Sequence, residues 1–512
     1  MAKKEQSIWW SWLDRMKGDK VIWMIVILLT LFSTIALFSS TSMDTAVNEG
    51  SKDRMDVFVE QLYMVAFGFG ILLVCYFMPT IRLFRVLSQF GFLISMSLLI
   101  PLFMHINADV PKEQYVFIRA QFINSAWRTL FIAGKIQLHV FEVVKVMMIL
   151  YLSWAVHAWK NYNVKNVNGE RMDMGFDLAR KIASHDRFKW VDKPFWLGIF
   201  YIFIPVCLVC IGLISGSVST VLFVGLILFT TLFIGGFPWK YLAIYVGIIV
   251  TLFAAGWGLY GIAGSGYSDE DKERLADARS SELKAGEKFY LTLGKVYGRF
   301  STASTRLERL GENLSVQEQL ELCNGDPDEM RRIADKYVQT EGAKIAIKEG
   351  GLLGKGPGKS TQKYRVPLIF GDYMYSFIIE EYGLWGAVLI LILFVSLLAR
   401  GSRIAMNCSN VYARTAVGGL TILISGQGIM HMMINVGLMP ITGQTLPIIS
   451  EGKSSLMMFY LAFGVLLSIS KMVKQKMDKE AAEAPDILPE AVPSTGDEIA
   501  DSMNDLNNLD TE

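Results

Sequence analysis

Charge is what this chain has least of. Asp, Glu, Lys and Arg make up 19% of its 512 residues, against 52% that are hydrophobic. Soluble domains carry roughly a quarter charged residues, so an ordinary water-facing globule is excluded and a membrane location is the first expectation. What charge there is nearly cancels, at net +1, which leaves no basic field of the kind that binds nucleic acid. Cysteine is scarce as well. Of the five, Cys75, Cys207, Cys210, Cys323 and Cys408, only Cys323 falls in a long polar segment, which argues against a disulfide framework. Cys207 and Cys210 have a redox-like spacing, but no further ligands surround them in their apolar run, and they read as packing residues. The first apolar run begins near residue 20. At about 20 residues it exceeds a signal-peptide core and reads as a retained span.

Long apolar runs are what the chain has instead. Backbone N–H and C=O groups find no partners in hydrocarbon, so a crossing takes about 20 residues of helix. Runs of this kind lie at 20–41, 57–79, 85–105, 139–159, 194–215, 217–235, 238–262, 372–399, 412–436 and 454–472. They predict an all-α polytopic membrane protein of about ten helices. Basic residues flank alternate ends: Lys3 to Lys20 before the first run, Arg82 and Arg85 after the second, Lys160 to Lys193 after the fourth, Arg400, Arg403 and Arg414 after the eighth. With ten spans all of these share one face, which the positive-inside rule makes cytoplasmic. Both termini are then expected inside, and 263–371 becomes a large extracytoplasmic loop between the seventh and eighth helices. Its mixed-charge stretches, 268–310 and 315–348, suit helices at the membrane surface. The chain divides into a cytoplasmic segment 1–19, a membrane domain 20–474 and a tail 475–512. Beyond Lys479 the tail has only acidic charges and no aromatics, and it is expected to be disordered, either solvating or binding a cytoplasmic partner.

An ionisable side chain in a membrane span is costly and is a functional candidate until a partner explains it. Glu142 and Lys145, three apart in the fourth run, share a helix face and read equally as an internal ion pair or as site residues. Asp372 opens the eighth run directly after the long loop, followed by Glu380 and Glu381; helix cap and catalyst are both open to it. The third candidate is Gly437 to Ser455, where Gly, Pro and Ser crowd the mouth of the bundle and predict a re-entrant or tightly folded loop lining a cavity.

These residues carry a resemblance. Gly437 to Ser455 resembles the G-L-x-P-x-T-G-x-x-L-P-x-x-S-x-G-G-S-S pattern of the SEDS family (FtsW/RodA/SpoVE). Gly350 to Ser360 is similar to that family's G-G-L-x-G-x-G-x-G-x-S stretch; a nucleotide-binding P-loop is excluded there because no strand precedes the glycines. Asp372-Tyr373-Met374-Tyr375 with Glu380, Glu381, Gly383 and Gly386 matches D-F-I-F-x-x-x-x-E-E-x-G-x-x-G. Glu142 and Lys145 correspond to the Glu and Lys of Q-P-S-E-x-x-K, Gln427 to a ninth-span Gln, and Asn124, Ala126 and Arg128 to N-G-A-R-R-W-I. The chain departs from the family at His139-Val140-Phe141, at Lys453 in place of a Gly and at His431 in place of an Asn. His431 on its own reads as a satisfied bundle residue. The loop wording is more like division-type FtsW proteins than elongation-type RodA.

The resemblance implies a peptidoglycan glycosyltransferase of the inner membrane that polymerises lipid II into glycan strands during cell division, acting on undecaprenyl-linked glycan. It makes Asp372 the catalytic general base and Glu142, Lys145, Arg128, Gln427, Ser450, Lys453, Ser454 and Ser455 substrate-binding. Lys145, oriented by Glu142, and Arg128 would meet the developing phosphate charge, a task a divalent cation, Mg or Mn, could share. For Arg128 and Lys453 plain headgroup binding is an equal alternative. A class B penicillin-binding protein (transpeptidase) and other divisome proteins are the implied partners. The rival readings are a lipid II flippase or transporter, a RodA-like polymerase of cell elongation, and a non-catalytic division scaffold.

Overall fold

In the computed structural model the described residues are 18–40, 54–107, 110, 116–123, 126–133, 136–162, 181–182, 185, 190–191, 193–214, 216, 218–265, isolated positions between 286 and 297, 327–366, 369–439 and 442–483. The ten apolar runs all become helix. In chain order they are α1 (Lys20–Ser40), α2 (Arg54–Phe77), the pair α3 (Ile81–Ser88) and α4 (Gly91–Phe103), α5 (Val140–Lys160), α6 (Pro194–Ile214), α7 (Val218–Ile234) and α8 (Trp239–Gly264). After α9 (Pro327–Gly350) in the long segment come α10 (Met374–Asn407), α11 (Val411–Asn435) and α12 (Lys453–Glu483). Among the described residues nine spans are long and apolar enough to cross a membrane; α7, at 17 residues, is the short one. At 1.5 Å per residue it reaches roughly 25 Å, a little under the hydrocarbon thickness.

The side-chain distribution fits a bilayer as solvent. Leu31, Phe67, Leu222, Leu226, Leu252, Ile262, Trp385 and Ile392 are all more than half exposed on the outer surfaces of their helices, an arrangement that water would penalise. α5, α11 and α12 are the buried staves, and α8 lies at the rim. α12 packs along α2, and α11 lies between α10 and α5. α6 contains one π turn at Ile199–Phe203, for which Pro205 gives a reason. Proline has no N–H for the carbonyl four residues back and its ring crowds it; that carbonyl, Tyr201 O, instead accepts from Tyr151 Oη at 3.0 Å.

Two features differ from expectation. Between α4 and α5 the chain forms a three-stranded antiparallel meander, β1 (Ile118–Ile123), β2 (Ala126–Ile132) and β3 (Ile136–His139), an addition to the helical architecture. Its strands pair Ile118 with Ile132 and Ile132 with Ile136, and short segments rich in Ile, Phe, Trp and Thr are what pleated surfaces favour. Second, residues 475–483, assigned to the tail, continue α12; 484–512 lie outside the described residues. Of the two helical stretches expected in the long loop, α9 represents the second, and most of 268–310 lies outside the described residues.

Candidate active site

Asp372 sits on a single helical turn, Ile369–Asp372, just ahead of α10. Two distant segments hold that turn by its backbone, through three hydrogen bonds. Glu451 N donates to Phe370 O at 3.0 Å, Ser450 Oγ to Gly371 O at 2.8 Å, and Asn435 Nδ2 to Asp372 O at 3.1 Å. The capping alternative does not apply: the N-cap of α10 is Tyr373, and no side chain caps it. The carboxyl, partly buried, faces Arg128, which β2 presents, and Gly443 lies against both. A Cβ on Gly443 would come 2.9 Å from Arg128 Nη1 and 3.7 Å from Asp372 Oδ2. Burial pushes the Asp372 carboxyl above the usual aspartate range, and the Arg128 charge pulls it back.

Behind this pair lies a buried polar cluster centred on Lys145. Its Nζ donates to Glu142 Oε1 at 2.7 Å, to Gln427 Oε1 at 2.7 Å and to Gln444 Oε1 at 3.1 Å. An ammonium has three N–H groups, so all are used, and the side chain is only 2% exposed. Gln444 Nε2 reaches Thr220 Oγ1 at 3.1 Å on α7, and Gln427 Nε2 reaches Thr445 O at 3.0 Å. His431 Nδ1 meets Gln444 O at 2.7 Å, and Asn435 Nδ2 also donates to His431 O at 2.9 Å. Gln427, His431 and Asn435 thus run down one face of α11 from the Lys145 cluster to the Asp372 backbone.

The other expected site residues shape the 442–455 loop. Ser450 Oγ, besides holding Gly371, accepts from Leu446 N at 2.9 Å. Ser454 Oγ donates to Gln137 O at 3.1 Å on β3 and accepts from His139 N at 3.1 Å. Ser455 Oγ pairs with Thr445 Oγ1 at 3.3 Å. Lys453 forms an ion pair with Glu60 on α2, at a cleft lined by Leu37, Phe38, Phe58 and Met64. The loop is folded back against the bundle: Ser33 Oγ of α1 donates to Ile448 O at 2.8 Å. Asn124 and Pro440 lie outside the described residues, as does the side chain of Ala126.

The glycine-rich stretch has a different task. α10 breaks at Gly383, whose φ of +67° is left-handed. The break frees the Glu380 and Glu381 carbonyls, which accept from Lys355 N and Gly356 N at 2.9 Å each. The side chain of Glu380, fully buried, accepts from Lys355 Nζ at 2.8 Å and Thr361 N at 2.8 Å. Glu381 Oε1 takes Ser39 Oγ at 2.6 Å and Gly358 N at 3.0 Å. The stretch 355–361 therefore clamps two carboxylates of its own chain and ties α9, α10 and α1 together.

Sequence reading missed Asn435, Gln444 and Glu60. The first was visible as the third member of a Gln427, His431, Asn435 series at spacing four in an apolar helix; nothing local marked Glu60. For a divalent cation the donors are short. Among the described residues no three His, Cys, Asp or Glu side chains converge, and the carboxylates at hand, Asp372 and Glu142, already face Arg128 and Lys145. Among the described residues there is no protein-built cage, and no step below runs through a metal.

Residues 325–475 match the model of the cell cycle protein family FtsW/RodA/SpoVE. The protein named "Probable peptidoglycan glycosyltransferase FtsW" of Caulobacter vibrioides (strain NA1000 / CB15N) is 36% identical over 136 residues, 27% of this chain and 35% of that protein. Stage V sporulation protein E of Bacillus subtilis (strain 168) is 40% identical over 127 residues, 25% of this chain and 35% of that protein. The aligned stretch thus spans 35% of the length of these relatives. Among solved structures, a chain of a peptidoglycan synthase complex aligns over 90% of this chain and 99% of its own, at 18% identity and TM-score 0.49. The rod shape determining protein RodA of Thermus thermophilus aligns over 90% of this chain and 98% of its own, at 17% identity and TM-score 0.47. Residues 325–475, which hold Asp372, Gln427 and the 442–455 loop, are thus similar to the FtsW/RodA/SpoVE family of cell cycle proteins.

Proposed function

We infer that the chain is a peptidoglycan glycosyltransferase that polymerises lipid II during cell division, in the inner membrane, with both termini cytoplasmic and the Asp372 end of the bundle outside. The observation that carries this is the partly buried Asp372 carboxyl beside Arg128, at a bundle end rimmed by a small-residue loop. Elongation of a glycan joins the 4-hydroxyl of one sugar to the anomeric carbon of another that bears a polyprenyl pyrophosphate. The hydroxyl oxygen forms the new bond, the carbon–oxygen bond to pyrophosphate breaks with its electron pair leaving on phosphate, and the hydroxyl proton passes to Asp372. A carboxylate raised towards neutrality is the stronger base, and Arg128 meets the charge growing on the leaving group. Lys145, its donors all engaged, acts as a positioning residue that fixes Gln444 and Gln427. The apolar cleft between α1 and α2, beside Lys453, suits a polyprenyl chain. A class B penicillin-binding protein and divisome proteins are the partners this reading needs, and added Mg or Mn belongs among the conditions tested.

The test uses the full chain, purified with a class B penicillin-binding protein and given labelled lipid II. Wild type should build polymer, and Asp372→Asn should lose at least a hundredfold, the scale of a missing general base. Equal polymer from both removes Asp372 from the chemistry; translocation without polymer points to a transporter, and neither activity to a scaffold.

A further inference from the structure

Among the described residues, the membrane face on which α3 begins and α5 ends, opposite Asp372, gathers positive charge with no carboxylate paired to it. Arg85 of α3 lies within the field of Arg82, and its Nη1 donates to His157 Nε2 on α5 at 2.8 Å. Lys160, the last residue of α5, lies within the field of Arg414 in the first turn of α11. Its Nζ is 2.5 Å from where a Cβ on Gly236 would stand, over the turn between α7 and α8. Ser88 Oγ and Tyr412 Oη, 2.7 Å apart, tie α3 to α11 within the cluster. Among the described residues no Asp or Glu forms an ion pair with Arg82, Arg85, Lys160 or Arg414. Asp19, at the start of α1, is taken by Arg400 at 2.6 Å.

Cations held together by packing, each raising the cost of its neighbour's charge, are stabilised by an anion placed among them. The surface beside them says which kind. Leu83, Val86, Leu87 and Phe90 are exposed on and just beyond α3, a strip that favours hydrocarbon over water. A soluble phosphate would leave that strip uncovered; a phospholipid covers it with its chains while its phosphate reaches the cations. We propose that Arg82, Arg85, Lys160 and Arg414 form a binding site for the phosphate of an anionic phospholipid, whose acyl chains run along α3. The lipid bridges α3, α5 and α11. The last two are the helices whose other ends meet in the Lys145 cluster, so its binding should stiffen that cluster too.

The experiment follows thermal unfolding of the delipidated full chain in neutral detergent while phosphatidylglycerol, phosphatidylcholine or glycerol phosphate is added, with native mass spectrometry counting retained lipid. Phosphatidylglycerol should raise the midpoint and be retained, and the other two should not. The variant Arg85→Gln/Lys160→Gln/Arg414→Gln should bind phosphatidylglycerol roughly a hundredfold more weakly. The control Arg403→Gln/Lys474→Gln/Lys479→Gln removes the same charge from exposed positions and should bind as wild type does. Equal loss in the control reduces the effect to general attraction and overturns the site. Protection by glycerol phosphate overturns the lipid, and a site that opens to phosphatidylglycerol only after deletion of 484–512 assigns it to the acidic tail. Should the triple variant not fold, Arg82→Gln/Lys160→Gln gives the same comparison, and equal retention of the two lipids by wild type alone is enough to sink the proposal.

Discussion

Replacing Lys145 with Met keeps the length and apolar stem of the side chain and removes only its ammonium. Three acceptors then lose their donor: Glu142, Gln427 and Gln444. Removing one partner of a buried ion pair costs about 3–5 kcal/mol, because the other charge stays behind. Two amide oxygens stranded in the interior add to this, at up to ~1–3 kcal/mol each. Against them, Glu142 is 14% exposed and can turn its freed carboxylate towards solvent, which screens it. The expected net loss is therefore about 3–5 kcal/mol, near the pair value, with little added. Reversible unfolding of the full chain in mixed micelles, read from its 12 tryptophans, measures it. The double variant Glu142→Gln/Lys145→Met is the sharper arm. With the stranded carboxylate gone, it should be more stable than the sum of the single losses by about 1–3 kcal/mol. A Lys145→Met loss under about 0.5 kcal/mol, the level of a surface substitution, or strict additivity in the double variant, would refute the reasoning.

Three further outcomes are expected. Proton abstraction needs Asp372 ionised, and its burial raises the pH at which it ionises; polymerisation should rise with pH through that raised value and level off above it. In Arg128→Gln the opposing pull is gone, so the rising limb should move to higher pH, and an unmoved limb in rate–pH profiles separates the two groups. Gly443→Ala places a methyl 2.9 Å from Arg128 Nη1 at a φ of +64°. It should cut polymerisation at least tenfold while costing only ~1 kcal/mol of backbone strain, and activity retained at wild-type level in the lipid II assay contradicts the placement of Gly443. Gly383→Ala adds a Cβ 2.4 Å from Leu352 O at a φ of +67°, so 351–358 should detach from α10 and gain hydrogen exchange, whereas unchanged exchange there rules the clamp out.

Most of the fold was legible because the bilayer imposes one rule on length and polarity: every apolar run found in the sequence is helix, although α10 and α12 run on to Asn407 and Glu483, past the expected ends at 399 and 472. The meander at 118–139 was not, since a small sheet beside the bundle needs no long run and no strict alternation. The candidate site was half legible. Glu142 and Lys145 do meet, as their spacing predicts, but two of the three acceptors around Lys145 lie 282 and 299 residues away in sequence. No local pattern encodes such distances. Ser450, Ser454 and Ser455 show a different limit of sequence reading. Their motif marks an important loop, yet each hydroxyl is engaged within the protein, so a motif alone does not separate residues that touch a substrate from residues that hold a loop in shape. The break at Gly383 was hidden too, because a glycine within an apolar run looks the same whether or not its φ is positive.

The construction around Asp372 gives those internal hydroxyls and amides a purpose. If Asp372 is the base of the proposed reaction, it must be held to within a fraction of an ångström of a productive geometry, and a single helical turn at the end of a long loop cannot do that alone. Here its carbonyls are held by Asn435 from α11 and by Ser450 and Glu451 from the 442–455 loop, and that loop is in turn fixed to α1 through Ser33 and to β3 through Ser454. Every one of these bonds spends a polar group on the backbone and leaves the carboxylate with Arg128 as its named neighbour in charge. On the proposed function, such an arrangement makes activity vulnerable at residues that never touch the sugar. It also explains why the cluster is polar at all in a bundle whose outer surface is hydrocarbon-facing: buried hydrogen bonds specify one arrangement of α5, α11 and the loop, where apolar packing tolerates several.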